Sequence, residues 1–245
     1  MTHINSINLT PKELTHPVYR VMSFTRFIEL LQRQELTLVR PHMWEDPFEN
    51  YLYSFMQKKH LGTYKGLSRY GEDLFAQCWT LHRETDAMWR IYSPDNDGVR
   101  VRTDFSRLYR ALALKVGIRA TIDSFIGKVQ YLTKEEIRDI VSSCEFQRSV
   151  DRADTSKHIA RCLLLKRKEF SHEKEIRLIH DCWDPNQTRK GTLFDIPIDP
   201  NRLFDSVTID PRTEYARFME MKTTIKAKGF VRPVYRSRLY SLDLD

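Results

Sequence analysis

Val18-Tyr19-Arg20-Val21-Met22 is short, β-prone and bounded by Pro17, and it leads into Thr25-Arg26-Phe27-Ile28-Glu29-Leu30-Leu31, whose apolar residues recur at helical spacing. Leu36-Thr37-Leu38-Val39-Arg40 follows as a second strand closed by Pro41. The opening order is therefore strand, helix, strand. Further along, Leu74 to Leu81 is an apolar run that suits a buried strand. Thr85 is placed to cap a helix over Asp86 to Tyr92, and Ser93 to Gly98 reads as a turn before the alternating strand Val99 to Thr103. Asp104 then caps another helix.

Trp44-Glu45-Asp46-Pro47-Phe48-Glu49 opens a helix, with proline set early as helix starts prefer. Phe125 to Leu132 reads as a strand, and Lys134 to about Lys168 has helical periodicity with no Gly or Pro, which predicts one or two helices. Strands are expected at Glu175 to Ile179, Thr192 to Ile198, Phe204 to Ile209 and Val231 to Leu242, with a helix over Arg212 to Lys228. The expected fold is a single compact α+β domain spanning residues 1–245, with mixed sheets flanked by helices and a helical insertion around 134–168.

Composition agrees. The chain has 245 residues, 41% of them hydrophobic, enough for a sizeable core, while 8 Gly and 10 Pro are too few for a disordered or linker-dominated protein. No apolar run reaches the ~20 residues of a membrane span, and the polar start lacks an export signal, so a soluble cytoplasmic protein with no membrane partner is expected. Cys78, Cys144, Cys162 and Cys182 never form a Cys-x-x-Cys pair, which argues against a disulfide framework or a zinc ribbon. No metal site is expected.

Net charge is +7, and its distribution says more than its total. Between Gly98 and Arg119 lie six bases, Arg100 and Arg102 among them, against the single acid Asp104. Between Lys222 and Arg238 lie six bases, including Arg232 and Arg236, and no acid, with Phe230, Tyr235 and Tyr240 among or beside them. Basic groups interleaved with aromatic rings suit a nucleic acid held by phosphate neutralisation and stacking. A solvated helix and edge strand is the plainer alternative.

The chemically densest stretch is Phe170-Ser171-His172-Glu173-Lys174-Glu175-Ile176-Arg177, because a strand's two-residue period sets Glu173, Glu175 and Arg177 on one face. A carboxylate pair can orient a sugar hydroxyl, steady an oxocarbenium charge and steer a nucleophile. Tyr19-Arg20 supplies a guanidinium fit to clamp a pyrophosphate, and Trp89-x-x-Tyr92 supplies rings that could stack on nicotinamide or face the core. Neither a Gly-x-Gly-x-x-Gly fingerprint nor a P-loop occurs.

In their combined order, Tyr19-Arg20, Trp44 to Glu49, Trp89-x-x-Tyr92 with Gly98-Val99, and Phe170-x-x-Glu173-x-Glu175-x-Arg177 resemble the bacterial domain-of-unknown-function family twenty-nine seventy-one. Two departures stand out: Glu45 where an asparagine is common, and Arg100 in a strand that is usually more apolar. The strand, helix, strand opening and the late glutamate also resemble ADP-ribosyltransferases of the toxin and phage-defence type. That resemblance implies NAD as substrate, with no permanently bound cofactor. It implies Tyr19, Arg20, Trp89 and Tyr92 as NAD contacts, Glu175 as the catalytic glutamate and Glu173 beside the acceptor. Arg100, Arg102, Arg232 and Arg236 are the expected contacts to a nucleic-acid acceptor, DNA or RNA, and an antitoxin protein is an expected partner. Two alternatives remain: a non-catalytic nucleic-acid-binding module, and a metal-dependent nuclease using Asp210, Glu220 and Lys222.

Overall fold

The computed structural model describes residues 4–44, 74–143, 155–182 and 191–241. Residues 45–49 of the expected helix and Cys144 lie outside them. Twelve strands are present among the described residues: β1 (Ser6–Ile7), β2 (Pro17–Ser23), β3 (Glu35–Val39), β4 (Leu74–Thr80), β5 (Gly98–Asp104), β6 (Ser124–Lys128), β7 (Gln130–Leu132), β8 (Leu165–Arg167), β9 (Glu175–Asp181), β10 (Leu193–Pro197), β11 (Ser206–Ile209) and β12 (Val234–Arg236). The helices are α1 (Phe24–Arg33), α2 (Asp86–Tyr92), α3 (Phe105–Val116), α4 (Ala120–Asp123), α5 (Lys134–Ser142), α6 (Thr155–Cys162), α7 (Pro200–Leu203) and α8 (Tyr215–Ala227).

Thr85 and Asp104 cap α2 and α3 as the sequence predicts, and Ser23 caps α1. Ser23 accepts the Arg26 N–H at 3.3 Å, Thr85 accepts that of Met88 at 3.1 Å and Asp104 that of Arg107 at 2.8 Å. Gln34, left-handed at φ 53°, ends α1 and turns the chain into β3.

Ten strands form one mixed sheet in the order β1-β6-β9-β4-β2-β5-β11-β12, with β3 also paired to β4 and β10 to β3. The β1–β6 and β11–β12 pairs are parallel and the others antiparallel. The sheet forks at β4. One edge of this strand meets β2 at Thr80, opposite Tyr19, and β3 at Ala76, opposite Val39, which leaves Cys78 facing the gap where β2 and β3 part.

Each face of the sheet carries a core. One is the large cluster of Phe75, Trp79, Val99, Val101, Ile176 and Leu178 with Phe27, Leu108 and Met221 from α1, α3 and α8. On the other face Leu74, Ala76, Phe125 and Ile179 pack under Ile159, Leu163 and Leu164 of α6 and its exit. This second core is short. Along β9 and β4 it gives way to Arg177, Glu175, Cys78 and Thr80, which register and alternation place on the same face.

Three expected elements differ. The strand over 125–132 divides at Val129, because β7 leaves the main sheet to pair with β8 in a two-stranded sheet of its own. The 134–168 stretch contains α5, α6 and then β8, and the Leu163-Leu164-Leu165 run that leads into β8 continues the apolar spacing of α6 and so reads as helix in sequence. The carboxyl-terminal strand shrinks to Val234–Arg236, since only these residues pair with β11.

Candidate active site

Glu175 opens β9, and Arg177, two residues on, projects from the same face. Arg177 Nε donates to Glu175 Oε1 at 3.0 Å and its Nη2 to Oε2 at 2.8 Å, a bidentate pair with Arg177 only 1% exposed. Arg177 also donates to the carbonyl of Leu163 and lies 4.3 Å over the Trp44 ring. Burial alone would raise the Glu175 pKa, but Arg177, then Lys166 and a hydrogen bond with Cys78 bring it down to about 2. The carboxylate is therefore ionised throughout the physiological range.

Glu173 reaches the same place by another route. Sequence alternation puts it on the strand with Glu175, whereas it ends the 3-10 turn Lys168–Glu173, and Lys174 at φ 42° redirects the chain into β9. The turn is tied to β4 where Thr80 Oγ1 donates to the Glu173 carbonyl at 2.6 Å and the Leu81 N–H donates to that of Lys174 at 3.0 Å. Lys166 then bridges the carboxylates, 2.6 Å from Glu173 Oε2 and 3.2 Å from Glu175 Oε2. Nothing in the sequence marked Lys166.

Both glutamates line a cavity of about 530 Å³ at the fork of the sheet, together with Tyr19, Arg20, Val21, Met22 and Ser23 of β2, Arg26 of α1, Cys78 to Thr80 of β4, and Met88, Ile91, Tyr92 and Pro94. Its size is that of ordinary small-molecule sites. Among the described residues the guanidinium groups of Arg20 and Arg26 have no hydrogen-bond or carboxylate partner. Burial, the largest influence, pushes the Arg20 pKa down to about 10, so it remains charged at neutral pH. Burial followed by the charges of Glu173 and Glu175 raises the Tyr92 pKa, which keeps its hydroxyl a proton donor. The cavity thus holds two cations, Arg20 of β2 and Arg26 in the first turn of α1, together with a carboxylate pair and apolar side chains.

Tyr92 is in place because α2 is fixed at both ends. Glu84 accepts from Trp89 Nε1 at 2.8 Å and pairs with Arg100 at 3.3 Å, while Arg212 donates to the carbonyls of Trp89 at 3.0 Å and Ser93 at 2.7 Å and is itself held by buried Asp210. Trp89 is therefore a correction to the expected NAD contacts: it is 1% exposed, points into the core and does not line the cavity. Residues three apart are neighbours on a helix, but Tyr92 is the last residue of α2 and is 41% exposed at the cavity, where Trp89 is buried.

A second cavity, of about 620 Å³, shares Tyr19 with the first and takes in Arg83, Arg100, Arg102, Thr208, Tyr235, Arg236 and Arg238. Arg100 is corrected from a free phosphate contact to an anchor, since it is 7% exposed, engaged by Glu84 and Thr208 and stacked 5.1 Å from the Tyr19 ring. Arg102, half-exposed beside Asp205 at 3.7 Å, and Arg236, bonded to the Thr213 carbonyl at 2.9 Å, face this cavity. Arg232 does not; its Nε donates to the Asn201 carbonyl at 2.7 Å elsewhere on the surface. The nuclease trio is also separated: Asp210 is fully buried against Arg212, whereas Glu220 pairs with Arg217 on an exposed face of α8 and Lys222 lies over the Phe218 ring. Among the described residues no group of three His, Cys, Asp or Glu could hold a metal ion, and no helix is long and apolar enough to cross a membrane.

Comparison with solved structures finds the DarT of Thermus sp. 2.9 in complex with carba-NAD+, at TM-score 0.38 and 9% identity over 91% of this chain and 95% of that one. The same DarT in complex with ADP-ribosylated ssDNA aligns at TM-score 0.40 and 11% identity over 97% and 98%. Thermosipho africanus DarTG in complex with ADP-ribose aligns at TM-score 0.36 and 11% identity over 90% of this chain and 50% of that one. No curated protein matches the sequence. Residues 88–178, which take in Tyr92, Lys166, Glu173, Glu175 and Arg177, match the model of the family described as Protein of unknown function (DUF2971), the family that the motifs of the sequence resemble.

Proposed function

We propose that the chain is an ADP-ribosyltransferase that cleaves the nicotinamide–ribose bond of NAD and transfers ADP-ribose to a nucleic acid. The observation that carries this reading is the single cavity lined both by Arg20, whose guanidinium has no partner among the described residues, and by Glu173 and Glu175. Arg20 and Arg26 bind the pyrophosphate, and the start of α1 adds its N–H groups to theirs. Tyr92 packs beside nicotinamide and Tyr19 closes the cavity floor. Glu175, held ionised by Arg177, accepts a hydrogen bond from a ribose hydroxyl and stabilises the positive charge that develops at the anomeric carbon. The C–N bond breaks with its electron pair going to the pyridinium nitrogen, so nicotinamide leaves neutral. An acceptor nucleophile then bonds to the anomeric carbon and gives up its proton to Glu173.

The second cavity suits the acceptor. It adjoins the first at Tyr19 and offers Arg102 and Arg236 to phosphates and the half-exposed ring of Tyr235 to a base. In this reading the protein is a cytoplasmic toxin or anti-phage effector restrained by an antitoxin protein.

Incubation with NAD labelled in the adenylate, in the presence of single-stranded DNA or RNA, tests the proposal. Nicotinamide release and label on the polymer are expected from wild type, with a loss of about 100-fold or more in Glu175→Gln. Salt-sensitive nucleic-acid binding with no NAD turnover would instead identify a binding module.

A further inference from the structure

The two-stranded sheet of β7 and β8 stands apart from the main sheet, yet two side chains paired across its ladder, Tyr131 and Lys166, both end at Glu175. The Tyr131 hydroxyl accepts the backbone N–H of Glu175 at 2.8 Å and so fixes the start of β9. Lys166 carries its ammonium, nearly buried and 4.9 Å from the Phe170 ring, between the two carboxylates at 2.6 and 3.2 Å. Of the two acids, Arg177 pairs with Glu175. Among the described residues Lys166 is thus the one cation in contact with both acids, and it does so from behind, since it does not line the cavity.

A buried ammonium without partners is costly, and two buried carboxylates side by side repel one another. Each of these costs is removed by the other here. We infer that Lys166 is a positioning residue of the proposed reaction: its single nitrogen joins Glu173 to Glu175 and sets the direction in which the pair faces the ligand. The inference rests on the function proposed above. Besides Lys166 and the two glutamates, the titratable groups near the pair among the described residues are Arg177 on β9, Cys78 on β4, Tyr92 on α2 and Tyr131 on β7, with Arg20 of β2 and Arg26 of α1 lining the same cavity. The two tyrosines have raised pKa values and stay neutral, so among the described residues Lys166 and Arg177 are the countercharges in direct contact with the pair.

The test compares wild type, Lys166→Met and Lys166→Arg as full chains. Carboxyl-carbon NMR of glutamate-labelled protein without NAD should show Glu175 titrating about one pH unit or more higher in Lys166→Met, and near the wild-type value in Lys166→Arg. In nicotinamide release, Lys166→Met should lower kcat about tenfold or more while KM for NAD stays within about twofold, and the acid limb of the pH profile should move upward. A Lys166→Met chain whose Glu175 titration and acid limb match wild type overturns the inference. If that variant does not fold, the wild-type lysine signal decides: a Lys166 resonance indifferent to Glu175 titration also overturns it. A chain that releases no nicotinamide but titrates as expected refutes the proposed reaction while retaining the coupling of the carboxylates through Lys166.

Discussion

Among the described residues Arg20 has no counter-ion, unlike the other buried arginines whose partners the structure gives. Arg100 has Glu84, Arg177 has Glu175 and Arg212 has Asp210, whereas Arg20 faces Cys78, Arg26 and Tyr92 with its pKa pressed down to about 10 by burial. A cation kept in this way costs stability, so it is the natural place for an anionic ligand group. Arg20→Ala should raise KM for NAD about 10- to 100-fold, the worth of one or two charge-assisted hydrogen bonds, and leave the melting temperature equal to or above that of wild type. A lower melting temperature with unchanged KM would show Arg20 to be structural. That Arg20, Glu173 and Glu175 line one cavity was expected from sequence, because charged groups are conspicuous among apolar ones, although Glu173 gets there from a 3-10 turn rather than by strand period. Lys166 was not, because it lies in an apolar stretch whose spacing imitates a helix. Trp89 and Arg100 were misread because sequence shows a residue's chemistry and not the partner that consumes it.

Gly127 in β6 shows how the elements set these distances. It stands opposite Arg177 in the register, and a Cβ at this position would meet Cδ1 of buried Leu164 at 2.3 Å and Cδ2 at 2.8 Å. The bare backbone lets the chain leaving α6 lie against the sheet, so that the Leu163 carbonyl reaches Arg177 and Lys166 reaches the glutamates. Gly127→Ala should therefore destabilise the fold by about 1–3 kcal/mol, as overpacking does, and weaken nicotinamide release beyond what the stability loss explains. An unchanged melting temperature and rate would remove Gly127 from this role. The strand, helix, strand opening, the caps Thr85 and Asp104 and the helix α8 were legible because capping and periodicity are local. The fork at β4 and the separate β7–β8 sheet were not, because pairing across more than thirty residues leaves no local mark. That fork brings Arg20 to the glutamates although 153 residues separate it from Glu173 in the chain.

The whole molecule depends on β9, which lies inside the sheet between β6 and β4 and carries Glu175, Arg177 and His180. His180 is buried between the Ser124 hydroxyl at 3.1 Å and the Phe194 ring at 4.7 Å, and burial, outweighing a hydrogen bond with the Asp123 carbonyl, lowers its pKa from 6.5 to about 4. The sign follows from linkage. Above pH 6.5 the ring is neutral in both folded and unfolded chains and costs nothing; below it the unfolded chain takes up a proton that the folded chain refuses, so stability falls until about pH 4. The loss over that window is on the order of 3 kcal/mol. Glu175 acts later, because its stabilising charge is complete above its unfolded pKa of 4.5 and disappears as pH falls toward about 2. Acid unfolding should consequently begin well before Glu175 titrates. Urea midpoints measured from pH 7 to pH 4 should decline for wild type and remain nearly level for His180→Gln, which keeps a hydrogen-bonding group but cannot take up the proton. Equal slopes in the two proteins would place the acid sensitivity elsewhere than in β9.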